Sequence, residues 1–162
     1  MIDYYTKEKN KFKKSEDYKK GCWVNVENPT ENEIKFLLEK FKLDKNNFMD
    51  GLDIHENPRF EIENKKVYIF LTAPTENIPS EYDTSFLIIY SDSLFMTISK
   101  YPLEAIKKAI KTRESSEKLS YSRQLLKILF LISRMFELSV RKINRSIKSE
   151  VYLKKMKKLL KI

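Results

Sequence analysis

Residues 59–71 constrain this chain more than any other stretch. Phe60 and Ile62 alternate with Glu61 and Glu63, and Asn64-Lys65 supplies a tight turn into Val67-Tyr68-Ile69-Phe70-Leu71. A period of two marks a half-buried strand, so the stretch reads as a β-hairpin. Just ahead of it, Asp50 and Asp53 lie three apart, a spacing that puts both carboxylates on one face of a helix. Pro58 ends that helical run, because its ring disfavours a helical residue before it.

The remaining elements follow from local signals. Cys22-Trp23-Val24-Asn25-Val26 is a short strand of aromatic and β-branched residues. Asn28 can cap the next helix with Pro29 in its first position, and Thr30 with Glu33 offers a second capping box. Ile34, Leu37, Leu38 and Phe41 then form one apolar stripe. Asp44 can cap a second, short helix through about Asp53, with Phe48 and Leu52 facing inward. After the hairpin, Pro74 and Pro79 bracket a polar loop. Ser85–Tyr90 and Leu94–Ser99 read as two more strands around the turn Ser91-Asp92-Ser93, and Leu103, Ile106 and Ile110 follow Pro102 as a helix. From about Ser120 there is neither Pro nor Gly, and Leu125, Leu129, Ile132, Phe136, Val140, Ile143 and Ile147 recur at helical steps, so one long helix is predicted. The fold class is α+β (mixed α/β): a central, mainly antiparallel sheet packed by helices, followed by a long C-terminal helix.

Three segments emerge from this pattern: a polar N-terminal arm or short edge strand (1–20), an α/β core (21–118), and a long amphipathic helix, basic toward its end (119–162). The 162 residues suffice for one real core. No run of about 18 apolar residues occurs, so nothing here spans a bilayer as a helix, and the charged start is no signal peptide. Cys22 is the only cysteine, which excludes an intrachain disulfide and fits a reducing compartment.

The net charge of +9 invites a nucleic-acid reading, and its location argues against one. Residues 141–162 carry a net +8, residues 1–20 a net +3, and residues 21–140 a net −2. The core is slightly acidic, and the basic groups sit on an arm and a tail. Tyr4, Tyr5 and Tyr18 among the arm's lysines are residue types that stack bases on a single strand, against a plainer reading as a solvated arm. Only Gly21 and Gly51 occur, too few for a phosphate-cradling loop.

The stretch F-M-D-G-L-D-I-H-E-N-P-R-F-E-I-E-N-K-K-V-Y-I-F-L resembles the cytoplasmic domain of the CorA family of divalent-cation transporters, with its acidic helix, H-x-x-P-[KR]-x-[ED] turn and apolar strand. It follows a strand with Trp23 and a helix opening at N-P-T-E-N-E, and the resemblance covers roughly residues 21–140. It implies a pentameric Mg2+ or related divalent-cation transporter and no enzyme. The family's pore helices and Gly-Met-Asn signature are absent from this sequence, so the chain is expected to be the cytoplasmic regulatory, ion-sensing and assembly portion. That places the whole protein at the cytoplasmic face of the cell membrane, this portion being soluble and meeting the membrane only through helices it lacks. The implied partners are identical subunits and divalent cations, with no nucleic acid.

The resemblance also implies a site. Asp50 matches an acid that helps hold a regulatory divalent ion between subunits, and Asp53 stands beside it. Mg2+ would be bound weakly at that interface, its facing acid lying beyond residue 162. The plainer reading makes Asp50, Asp53 and Glu56 the solvated face of a short helix. His55 beside them is expected to be a structural hydrogen-bonding residue, since no second His completes a zinc set. Trp23 is expected in the core.

Overall fold

Helix caps and strand alternation set the boundaries of the elements. The computed structural model describes residues 1–8, 11–75, 83–111, 127–134 and 141. In chain order the elements are β1 (Ile2–Glu8), β2 (Lys11–Ser15), β3 (Trp23–Glu27), α1 (Glu31–Phe41), α2 (Lys45–Asp50), β4 (Arg59–Glu63), β5 (Lys66–Pro74), β6 (Asp83–Tyr90), β7 (Phe95–Ser99) and α3 (Glu104–Lys111). Residues 127–134 are also helical.

The seven strands among the described residues join one sheet in the order β2-β1-β3-β7-β6-β5-β4. Every neighbouring pair is antiparallel except β3 with β7, where Trp23 lies opposite Phe95. The fold is therefore the expected α+β class with a mainly antiparallel sheet. Alternation along the strands sends side chains to two cores. One face packs Val24, Val26, Tyr68, Phe70, Leu87 and Ile89 against Leu37 of α1 and Phe48 of α2. The other packs Trp23, Phe86, Ile88 and Phe95 against Leu103, Ile106 and Ala109 at α3 and Ile128 of the helical residues 127–134. Trp23 is fully buried, in the core as expected.

The caps are specific. Thr30 is the N-cap of α1: its hydroxyl accepts from the Glu33 N–H at 3.3 Å, and its own N–H donates to Glu33 Oε2 at 2.8 Å. Asn28, the other candidate, instead takes a left-handed φ of 42° in the turn before it. Asp44 caps α2 by accepting the Asn47 N–H at 2.8 Å.

Of the two readings of residues 1–20, the free polar arm is corrected and the short edge strand is found as β2: β1 and β2 form a hairpin, and β1 lies inside the sheet between β2 and β3. Ile2 and Tyr4 pack on the first core, Tyr5 and Phe12 on the second. The lysines hid this pattern: Lys11, Lys13 and Lys14 occupy the edge strand β2, where charge is the usual protection of an open edge. Residues 76–82, on which most of the polar loop expected between Pro74 and Pro79 falls, the boundary at 118–119, and the expected long helix outside residues 127–134 and 141 lie beyond the described residues. Among the described residues no helix is long and apolar enough to cross a membrane.

Candidate functional site

The site grows from the meeting of α2, the turn after it, and β4. Phe48 anchors α2 in the first core, and Gly51, buried, brings the end of the helix against Leu87 of β6. Beyond Asp50 the backbone tightens, with Leu52 N–H donating to Met49 O and Asp53 N–H to Asp50 O, both at 3.0 Å. The following loop is tied to the sheet by Ser85 N–H donating to Ile54 O at 3.0 Å. The carboxylates of this segment are thus carried on a firmly held turn.

Arg59 is the centre of the cluster. The register places it opposite Phe70, and its guanidinium carbon lies 3.8 Å from the centroid of that ring, a cation–π contact that flattens the group against the sheet. From there three carboxylates are within reach: Asp50 Oδ2 at 2.7 Å, Glu56 Oε1 at 2.6 Å and Glu61 Oε1 at 2.7 Å. The hydrogen bond to Glu61, opposed by partial desolvation and helped by Asp50 and Glu56, holds the guanidinium proton more firmly than usual. Three carboxylates around one cation leave two negative charges in excess. The Asp50 side chain remains 42% exposed, so the pair is accessible to solvent ions, and individual exposed pairs of this kind are weak.

Asp53 is placed differently from the expectation. α2 ends at Asp50 and not near Asp53, so the two carboxylates do not share a face of one helix. Asp53 Oδ1 accepts the N–H of His55 at 2.9 Å, closing its own turn, while Asp50 is taken by Arg59. His55 is exposed and contributes its backbone N–H here, a structural role. Among the described residues no group of three or more His, Cys, Asp or Glu side chains is arranged to hold a metal ion. Sequence reasoning missed Arg59 and Glu61 as members of the site; the signal was an Arg directly after Pro58 with acids on either side.

The arm tyrosines are committed elsewhere. Tyr4 and Tyr18 meet edge to face with centroids 6.1 Å apart, Tyr18 also meets Phe41 at 5.0 Å, and Tyr5 meets Trp23 at 6.5 Å. Burial raises the hydroxyl pKa of each, that of Tyr5 to about 12 with help from Asp3. These rings are packing elements, not an open stacking platform for bases.

The architecture and the motif agree with comparisons to known proteins. A family pattern described as CorA-like Mg2+ transporter protein matches residues 18–150. The complete structure of the CorA magnesium transporter from Methanocaldococcus jannaschii is similar over 92% of this chain and 49% of its own, with a TM-score of 0.71 at 18% identity. The soluble domain of CorA from the same organism is similar over 92% of this chain and 62% of its own, at TM-score 0.72 and 22% identity. The ZntB cytoplasmic domain from Vibrio parahaemolyticus is similar over 91% and 63%, at TM-score 0.71 and 15% identity. The chain thus spans from about half to just under two thirds of the length of these structures, and no curated protein sequence matches it. With most of its length inside the family pattern and the soluble-domain fold around it, the chain belongs to the CorA-like Mg2+ transporter family.

Proposed function

We propose that this chain is the ion-sensing and assembly portion of a divalent-cation transporter, working on the cytoplasmic side of the membrane and carrying no catalytic chemistry. The observation that supports this most is the placement of Asp50: a half-exposed carboxylate at the end of a helix locked to the sheet, inside a cluster with excess negative charge. Its oxygen donors suit Mg2+, which keeps most of its waters and is held by one or two carboxylates. Asp53, exposed on the adjoining turn with Oδ1 accepting the His55 N–H, is the lesser candidate donor. Alone Asp50 binds weakly; against an acid of a neighbouring subunit it forms a clamp. With the ion scarce, facing acids repel and the subunits loosen, and with it bound they are held together, a population shift driven by differential ion affinity.

The test uses the assembled transporter and limited proteolysis over a Mg2+ titration. Asp50→Asn is expected to weaken protection by Mg2+, and Asp50→Lys, able to pair with a facing acid, to protect without the ion. Unchanged Mg2+ dependence in both variants would show that Asp50 is a surface carboxylate and nothing more. The chain by itself is expected to show no saturable Mg2+ effect on thermal stability below millimolar concentration.

A further inference from the structure

The outer side of β4 presents unpaired backbone, exposed apolar side chains and excess negative charge on one short strand. Asn64 and Lys65 both have positive φ, 51° and 60°, the signature of a type I′ turn, so the flanking Glu63 and Lys66 form a hydrogen-bonded pair. Alternation then turns the backbone N–H and C=O groups of Arg59, Glu61 and Glu63 toward β5. Those of Phe60 and Ile62 point to the open side, where no described strand pairs with them.

The side chains of this edge divide by chemistry between the two faces of the sheet. Phe60 and Ile62, on the face away from α1 and α2, are 70% and 67% exposed. On the helix side Arg59 is already shared among Asp50, Glu56 and Glu61, and Glu63 stands exposed beside them. Lys66, opposite Glu63, is turned to the Lys42 carbonyl at 3.1 Å. Four carboxylates thus stand against one guanidinium. Such a surplus repels a second copy of the same strand and draws in a cationic one.

We propose that β4 is a docking edge for an extended segment of another protein in which basic residues alternate with apolar ones. The segment adds antiparallel to β4 as one more strand of the sheet. Its apolar residues lie opposite Phe60 and Ile62, exchange both backbone hydrogen bonds with each, and cover their side chains. Its basic residues fall on the helix side opposite Glu61 and Glu63, at the non-hydrogen-bonded positions where side chains come closest. Main-chain bonds supply the affinity, and the alternation supplies the specificity. A strand this short falls below the roughly 1,000 Å² of a standing interface, so the docking is weak and reversible. This recognition goes beyond ion sensing and holds whether or not Asp50 binds an ion.

The probe is a peptide capped at both ends, Lys-Val-Lys-Val-Thr, whose neutral threonine falls opposite Arg59. Titrated to millimolar concentration into the isotope-labelled chain, it is expected to shift the amide signals of Phe60 and Ile62 and to slow their exchange with deuterium. N-methylation of either valine blocks a bonded N–H and is expected to weaken binding about tenfold. N-methylation of the central lysine, whose N–H points away from β4, is expected to change nothing. These variants sit in the peptide, so the fold of the protein is never at issue. Glu63→Lys on the protein, outside the Arg59 cluster, is expected to weaken binding about fivefold. An acidic analogue, Glu-Val-Glu-Val-Thr, is expected not to bind. Undisturbed Phe60 and Ile62 amides at millimolar peptide overturn the proposal. Equal binding of the acidic analogue does so too, as does equal sensitivity to all three N-methylations. Self-association of the chain at that concentration, abolished by Lys13→Glu, would give the edge to the basic strand β2 of a second copy and overturn it as well.

Discussion

Replacing Gly51 by alanine should destabilise the protein even though the backbone there is ordinary. Gly51 has φ −64° and ψ −12°, a conformation any residue adopts, and helix propensity by itself favours alanine by up to about 1 kcal/mol. Space decides against it. An added Cβ would lie 2.6 Å from Leu87 Cβ and 2.7 Å from Leu87 Cδ2, where apolar carbons rest at about 3.5–4.0 Å. Leu87 is fully buried and paired with Phe70 on one side and Ile98 on the other, so its Cβ cannot move without the sheet. The end of α2 must lift by about 1 Å, at an overpacking cost of about 1–3 kcal/mol that outweighs the propensity gain. The net expectation is a loss of about 1–2 kcal/mol. Urea unfolding followed by the fluorescence of Trp23, which is buried in the sheet, measures it. Because Asp50 precedes Gly51, the same variant should also loosen the Asp50–Arg59 pair. A Gly51→Ala protein as stable as the wild type, or more so, would refute the claim that this glycine exists to let the helix touch the sheet.

Two further outcomes follow from buried and capping groups. Thr97 is fully buried and its hydroxyl accepts from Trp23 Nε1 at 2.9 Å while donating to Asn25 Oδ1 at 2.7 Å; Thr97→Val, nearly the same shape, leaves both partners unsatisfied and should cost about 2–4 kcal/mol, with Thr97→Ser recovering most of it in the same unfolding assay. Glu33 has its carboxyl pKa lowered, chiefly by the hydrogen bond from the Thr30 N–H and also by the Met1 amino group 3.1 Å away. Its folded-state pKa lies below the unfolded value of about 4.3, so the stability it contributes is present above that value and is lost as pH falls through the folded one. Glu33→Gln should therefore be less stable than wild type by about 0.5 kcal/mol at pH 7 and equal to it once the carboxyl is protonated; a constant difference across the acid range would count against the charge.

Much of the fold was legible because its signals are local. Thr30 with Glu33 and Asp44 with the Asn47 N–H are short-range caps that the chain displays directly. The apolar runs of β6 and β7 are buried on both faces, and that of β5 is buried on one and partly on the other, so they read as strands whatever packs on them. The β1–β2 hairpin was not legible, since its pairing partner β3 lies beyond a lysine-rich stretch and only that pairing gives Tyr4 and Tyr5 their opposite faces. Charge at an edge strand protects the edge and disguises the strand at once.

The site shows the same limit more sharply, at β4. Alternation separates Phe60 and Ile62 from Arg59 and Glu61 but does not state which set is covered, and the usual inference turns the apolar pair inward. Register inverts it here: Arg59 lies opposite Phe70, whose face is occupied by α1 and α2, so Arg59 and Glu61 are drawn to the helix side and Phe60 and Ile62 to the other. Strand β4 stands at the end of the sheet, and there that second face leaves Phe60 and Ile62 mostly in solvent. Arg59 consequently reaches back to Asp50 over the edge of α2, a contact nine residues apart in sequence that no helical or strand period encodes. The acid proposed here for ion binding, Asp50, is held by Arg59 of the same motif. Any divalent ion that binds Asp50 must therefore compete with a guanidinium fixed on Phe70 and shared with Glu56 and Glu61. Because those two carboxylates keep Arg59 compensated when Asp50 leaves it, the exchange does not strand a buried charge, and an exposed pair of this kind can open without loss of the fold.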